Sequence, residues 1–275
     1  MKKVGIITDS TAYLDDEFIK QYDIGVVPLS YTFEGENYRE GFSETFESFF
    51  TRFEKSKDFP VTSQPSTGDF VERYNEWLER YDELLVITIS SGISGTYNSA
   101  VLAAEIVGSD KITIVDSLNT ASNLRFMIKK AVELLKEKSA QETAETILSE
   151  RGKYHVLLIA DDLEYLRRGG RISSFASSVG NILQLKPIIG LVEGKLQLAQ
   201  KTRGTKRAID TAIKSVPENT EMVSICHIFN DESAEYIASE LKSKLPDAEI
   251  TIDGLGPVIG SHIGIKAFGL LFKTK

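Results

Sequence analysis

The run Leu84-Leu85-Val86-Ile87-Thr88-Ile89 is short and nearly continuous in apolar residues. A strand buried on both faces reads this way, whereas a half-exposed strand alternates apolar with polar. The segment Ser90-Ser91-Gly92-Ile93-Ser94-Gly95-Thr96 follows directly, and Thr96 to Val107 then reads as a small-residue helix. A buried strand feeding a helix is half of a βαβ unit, and repetition of that unit commits a chain to a parallel α/β sheet.

The first half repeats it. Val4-Gly5-Ile6-Ile7 is a second buried strand, and Lys111 to Val115 a third that ends in Asp116, with an amphipathic segment near Leu124 to Lys138 behind it. Phe70, Tyr74, Trp77, Leu78 and Tyr81 recur at helical spacing after Pro65 and form a core-facing stripe, with Ser66 or Thr67 as cap. Ser139 and Glu142 make a capping-box pattern for a helix that Gly152 ends, and Ile24 to Phe33 leads through Glu34-Gly35-Glu36-Asn37 into a predicted hairpin.

The second half changes character. Tyr154 to Ala160 is a predicted strand, and Leu163 to Leu185 is mostly helical but broken at Gly169-Gly170. Pro187 to Gln200 forms a hairpin turning at Glu193-Gly194. Helices over Thr205 to Val216 and Glu232 to Leu245 alternate with strands Met222 to Phe229 and Glu249 to Ile252, a mixed α/β layer. A chain of 275 residues divides naturally into domains of roughly 100 to 150 residues. The expected partition is 1–152 and 153–275, with the boundary near Gly152.

A formal charge of −8 argues against a nucleic-acid partner, because a phosphate backbone needs a basic surface. The short basic cluster Arg167, Arg168 and Arg171 could serve a single anion or a protein partner, or be a solvated turn. Val4 to Ile7 is too short for the apolar core of a signal peptide, and no stretch approaches the roughly 18 apolar residues of a membrane span, so a cytoplasmic location without membrane insertion is expected. The single cysteine, Cys226, lies in the apolar run Met222 to Phe229 and reads as core.

Two hydroxyl-rich segments remain, Thr62-Ser63-Gln64-Pro65-Ser66-Thr67 and Ser90 to Thr96. Each precedes a helix, where free backbone N–H groups and the helix dipole favour an anion. Ser94 is placed to cap the helix starting at Gly95, while Gly92 and Gly95 permit close backbone approach or positive φ. Such loops on successive βα units can converge at the carboxyl edge of a parallel sheet. Neither is a P-loop or a dinucleotide fingerprint, which disfavours ATP and NAD as cofactors.

His155 and His227 sit in apolar strand patterns and read as structural. His262 lies in the glycine-rich stretch Gly256-Pro257-Val258-Ile259-Gly260-Ser261-His262-Ile263-Gly264, which suits a close-packed, ligand-facing loop. No histidine pair, and no cysteine with histidine, has metal-ligand spacing.

Taken in order, Thr8-Asp9-Ser10-Thr11, Thr62 to Ser66, Ser90 to Tyr97, Asp116-Ser117, Leu166-Arg167-Arg168-Gly169-Gly170-Arg171-Ile172-Ser173, Lys186-Pro187-Ile188-Ile189, Lys201-Thr202-Arg203-Gly204 and His262 resemble the DegV family over nearly the whole length. That family holds the fatty-acid-binding proteins that include the FakB subunits of bacterial fatty-acid kinase. The resemblance implies a two-domain α/β fold, an N-terminal mostly parallel Rossmann-like sheet and a C-terminal mixed α/β layer, with one long-chain fatty acid such as palmitate or oleate in a tunnel between the domains. It implies carboxylate binding at Thr62 and Ser94, with Ser63, Gly95, Arg171 and His262 in the head-group region. It further implies a non-catalytic carrier with no cofactor and no metal, which presents its lipid to an ATP-dependent kinase subunit for acyl-phosphate formation. The chain departs from the family pattern at Gly264-Ile265-Lys266, where Gly-Pro-Gly is common, and at Ser122-Asn123-Leu124-Arg125, where a glycine-rich run is usual.

Two other readings compete. One is a serine hydrolase with Ser94 as nucleophile, His262 as base and Asp9 or Asp116 as orienter, although Gly-x-Ser-x-Gly is absent. The other is a sensor of a small phosphate or sugar, which requires a polar pocket.

Overall fold

A computed structural model describes residues 2–160, 162–171 and 186–275. In chain order the elements are β1 (Val4–Asp9), α1 (Asp16–Tyr22), β2 (Gly25–Val27), β3 (Ser30–Phe33), β4 (Glu36–Arg39), α2 (Phe46–Lys55), β5 (Val61–Ser63), α3 (Thr67–Leu78), β6 (Glu83–Thr88), α4 (Thr96–Val107), β7 (Ile112–Asp116), α5 (Ala121–Leu134) and α6 (Ala140–Glu150). They continue with β8 (Tyr154–Ile159), α7 (Leu163–Arg168), β9 (Lys186–Val192), β10 (Lys195–Thr202), α8 (Thr205–Ser215), β11 (Thr220–His227), α9 (Asp231–Lys244), β12 (Glu249–Gly254), α10 (Pro257–Ile263) and β13 (Phe268–Thr274).

The chain forms two compact units, Met1–Thr45 with Thr62–Gly152, and Phe46–Val61 with Lys153–Lys275. Contiguous domains of 1–152 and 153–275 are what local patterning predicts; the segment Phe46–Val61 is instead counted with the second unit. Its α2 stacks Phe49, Phe50 and Phe53 along one face, and Phe50 packs on Gly260 and against Phe229, partners about 200 residues away in sequence that periodicity does not reveal.

In the first unit four parallel strands take the order β2-β1-β6-β7. Leu84 and Val86 share one sheet face with Ile7, and against it α3 and α4 lay Phe70, Tyr74, Trp77, Ala100 and Ala103. The alternate residues Leu85 and Ile87 are equally buried on the other face, where α5 and α6 contact β6. Burial on both faces explains why β6 reads as a continuous apolar run. Ser66 caps α3 and Ser139 caps α6, each with a complete capping box.

The predicted hairpin forms from β3 and β4 around Glu34-Gly35, both at positive φ. The run Ile24 to Phe33 is not one strand, however: it splits at Pro28 into β2, which joins the parallel sheet, and β3, which pairs with β4 in a small sheet of order β4-β3-β5. Proline lacks the N–H that a continuous ladder would use.

The second unit holds a mixed sheet of order β10-β9-β8-β13-β11-β12, in which only β11 and β12 pair in parallel among the described strands. Helices α8 and α9 cover Val223, Ile225, Phe268 and Leu270. The β9–β10 turn falls at Glu193-Gly194, as expected. Periodicity assigns no element to Phe268–Thr274, yet it is an interior strand between β8 and β11. Gly256 to Gly264 is not a loop: Pro257 at the first helical position starts α10, and Ser261 Oγ donates back to Pro257 O at 2.7 Å. Of the segment predicted helical over Leu163 to Leu185, α7 covers Leu163–Arg168; the positions from Ile172 to Leu185 lie outside the described residues.

Candidate functional site

The parallel sheet delivers β6 into a tightly anchored turn. Ser90 N donates to Asn119 O at 2.8 Å, Ile93 N and Ser94 N both donate to Ser90 O at 3.2 and 3.1 Å, and Ser91 N donates to Asp116 Oδ1 at 3.1 Å. The N-cap of α4 is Gly95, one residue later than expected, and it has no side chain with which to cap. Ser94 Oγ lies 2.8 Å from Thr96 Oγ1 and accepts a long bond from Thr96 N at 3.4 Å. Ser99 N is the amide that reaches Gly95 O. The amides of the first turn of α4 and the Ser94 and Thr96 hydroxyls lie together at the positive end of the helix, where neutral donors favour an anion.

The second hydroxyl segment reaches the same helix. Thr62 and Ser63 end β5, and Gln64, the next residue, extends its side chain to α4, where Nε2 donates to Ser99 Oγ at 2.8 Å. Tyr74 OH donates to Ala100 O at 3.1 Å and ties α3 to α4 below this point. The structure therefore brings the segments of Thr62, Ser63, Ser94 and Gly95 to one place in the first unit. Gly92 and Gly95 both lack positive φ, so of the two roles open to Gly95, close approach is the one used. Sequence reasoning missed Gln64; its only signal was its place between Ser63 and Pro65.

Asp9 and Asp116 occupy the same sheet edge but are committed elsewhere. Asp9 is fully buried and accepts from Thr11 N at 3.0 Å, Thr11 Oγ1 at 2.5 Å and Ile89 N at 2.7 Å. Burial raises its pKa to about 6, against the lowering effect of those hydrogen bonds. Asp116 Oδ1 accepts from Ser91 N and Leu118 N, each at 3.1 Å. Both carboxylates hold backbone together at strand ends.

In the second unit the three arginines separate. Arg167 and Arg168 both bind Glu164, at 2.6 to 2.9 Å, and the hydrogen bond from Arg167 is the chief cause of a Glu164 pKa of about 2. Arg171 is half-buried, its Nη1 donating to Gly169 O at 2.5 Å, and burial lowers its pKa. Its neighbour in charge is His262, whose pKa falls to about 3, first through burial and then through the Arg171 guanidinium. Arg171 and His262 are thus brought together, with His262 held neutral, a weak base for hydrolysis. Ile172 and Ser173 of the same motif lie outside the described residues.

The remaining histidines and the cysteine are structural. His155 stacks on Phe272 with centroids 5.0 Å apart, His227 Nδ1 accepts from Asn230 N at 3.3 Å, and Cys226 is fully buried. Among the described residues no group of three histidine, cysteine or acidic side chains could hold a metal ion, and no helix is long and apolar enough to cross a membrane.

A parallel α/β unit with hydroxyl side chains gathered at a helix N-terminus, joined in one chain to a mixed-sheet unit carrying a half-buried arginine and histidine, defines a class of two-unit α/β proteins. The family model described as "Uncharacterised protein, DegV family" matches residues 3–275. The chain belongs to the DegV family. It is 35% identical over 287 residues to the DegV domain-containing protein lin2658 of Listeria innocua, covering 100% of this chain and 99% of that one. Among solved structures it is similar to a DegV family protein from Thermus thermophilus described for its fatty acid binding, with a TM-score of 0.89, 31% identity and coverage of 99% and 100% of the two chains. It is likewise similar to DegV of Bacillus subtilis, a fatty acid binding protein, with a TM-score of 0.88, 32% identity and full coverage of both chains.

Proposed function

We propose that this chain is a non-catalytic carrier that binds one long-chain fatty acid, such as palmitate or oleate, with its carboxylate at Thr62 and Ser94. The observation that carries the reading is the meeting of two hydroxyl-bearing segments at the N-terminus of α4, tied by Gln64 to Ser99 at 2.8 Å. Hydroxyl and amide donors at a helix N-terminus suit a carboxylate that must stay ionised away from water. The similar proteins from Thermus thermophilus and Bacillus subtilis support a fatty acid as that anion.

Magnitudes divide the labour. A tail of roughly 15 methylenes contributes about 12 kcal/mol gross at ~0.8 kcal/mol each, whereas each hydrogen bond to the charged head contributes about 1.5–3 kcal/mol. Tail burial sets affinity, and the hydroxyls set which end is presented. In this reading Ser63 and Gly95 shape the head-group site. Arg171 and His262 serve the next step, in which a cytoplasmic kinase subunit transfers the γ-phosphoryl group of ATP to the carboxylate, leaving ADP and an acyl phosphate. The carrier itself uses no cofactor, metal or nucleic acid.

Hydrolysis by Ser94 gains no support: His262 is held neutral with a pKa near 3, and Asp9 and Asp116 spend their carboxylates on backbone amides. Titration of the delipidated chain with palmitate and oleate by calorimetry tests the proposal. Saturation at one acid per chain is expected; absence of binding to both overturns it.

A further inference from the structure

Gln64 and Gly95 fit each other across 31 positions of sequence. The Gln64 Oε1 and Nε2 atoms lie 1.8 and 2.8 Å from the point where a Cβ on Gly95 would stand. Gly95 has φ −78° and ψ 5°, a conformation open to other residues, so its backbone does not call for glycine. The space does, because the glutamine amide occupies it. Residue 64 is otherwise exposed, so core packing does not explain why its side chain is laid across the helix end. The amide is held there by its donation to Ser99 Oγ at 2.8 Å, and Ser99 is itself 4% exposed and fixed in the first turns of α4.

We propose that Gln64 is the positioning residue of the head-group site, an inference that rests on the reading of Thr62 and Ser94 as the carboxylate's donors. Thr62 lies two residues before Gln64, and Ser94 one residue before Gly95. Seating the amide over Gly95 and anchoring it on Ser99 therefore sets the spacing between the two hydroxyls, so that both address one carboxylate. Gln64 acts through these neighbours and needs no contact with the lipid. Its effect falls on recognition of the acid and not on burial of the tail, because the tail's contribution is spread along its methylenes.

Comparison of palmitate with its methyl ester, which keeps the tail and removes the charged head, reads this directly. The unaltered chain binds palmitate more tightly than the ester. Gln64→Ala lowers palmitate affinity about tenfold, the scale of one charge-assisted hydrogen bond, and leaves ester affinity and the thermal midpoint unchanged. Ser99→Ala, which frees the amide without touching either loop, moves palmitate in the same direction by a smaller factor. Gly95→Ala expels the amide and lowers both palmitate affinity and thermal midpoint; adding Gln64→Ala to it restores the midpoint and not the preference for acid. Unchanged palmitate binding in Gln64→Ala and Ser99→Ala, or an equal fall for acid and ester, overturns the inference while leaving the fatty-acid reading standing. Failure of the unaltered chain to prefer acid over ester overturns the carboxylate assignment, and the inference with it.

Discussion

The imidazole of His262 fills the space that a side chain on Gly169 would need: a Cβ built on Gly169 falls 2.0 Å from His262 Nδ1. Gly169 is also the residue whose carbonyl accepts from Arg171. One glycine thus seats the histidine and holds the guanidinium that helps keep it neutral. Gly169→Ala should destabilise the chain by about 1–3 kcal/mol through overpacking, read as a lower thermal midpoint. It should also impair kinase-coupled acyl-phosphate formation more than palmitate retention, and equal loss of the two would contradict the division of roles proposed for His262.

His262 makes stability depend on pH in a defined sense. Its folded pKa of about 3 lies below the ordinary value of 6.5, so between those values the unfolded chain takes up a proton that the folded chain refuses. Stability is lost as pH falls from 6.5 toward 3, at up to ~1.4 kcal/mol per pH unit. Denaturant unfolding of the native chain and of His262→Asn should diverge over that window and run parallel above it. Parallel curves throughout would place a charged imidazole in the fold.

Asp9 has the opposite sign. Its pKa is raised from 3.8 to about 6, so the folded chain binds the extra proton between those values, and the penalty of its burial is relieved as pH falls from 6 toward 3.8. Asp9→Asn should remove that component from the pH profile and make stability fall more steeply on acidification than in the native chain. An unaltered profile would show that Asp9 is not buried in its charged form.

Removing the Asp9 side chain altogether has a different consequence. Asp9→Ala leaves the amides of Ile89 and Thr11 without their carboxylate acceptor. A cost of about 1–3 kcal/mol follows from a buried donor left unsatisfied. Hydrogen exchange at Ile89, just past the end of β6, should quicken relative to Leu85 in the middle of that strand, and equal protection of both would show that another group takes over the bond.

Thr62→Ala and Ser94→Ala should each weaken palmitate binding by roughly tenfold with little change in thermal midpoint, since Thr62 and Ser94 are both only partly buried. Undiminished binding in the double variant would move the head group elsewhere.

What the sequence disclosed follows the range of the interactions involved. The helix Thr96–Val107, the Ser139 cap and the Glu193-Gly194 turn are set by neighbours a few residues away and were legible, and the cap of α3 was narrowed to Ser66 or Thr67, of which Ser66 is the one used. Phe268–Thr274 becomes a strand through β8 and β11 on either side, and Phe46–Val61 joins the second unit through partners such as Gly260. Local periodicity carries neither relationship. The hydroxyls of the site were visible as residue types, but the Gln64–Gly95 and Gly169–His262 fits are complementarities of shape between distant segments, and nothing in either segment alone announces them.

The central claim is that the chain carries a fatty acid by its carboxylate end, and the most direct test is mass spectrometry of an organic-solvent extract of the protein purified without added lipid. The account predicts one dominant free fatty acid of long chain, near one per protein, depleted in Thr62→Ala/Ser94→Ala. An extract without fatty acid, from a protein that also fails to take up palmitate or oleate, would contradict it.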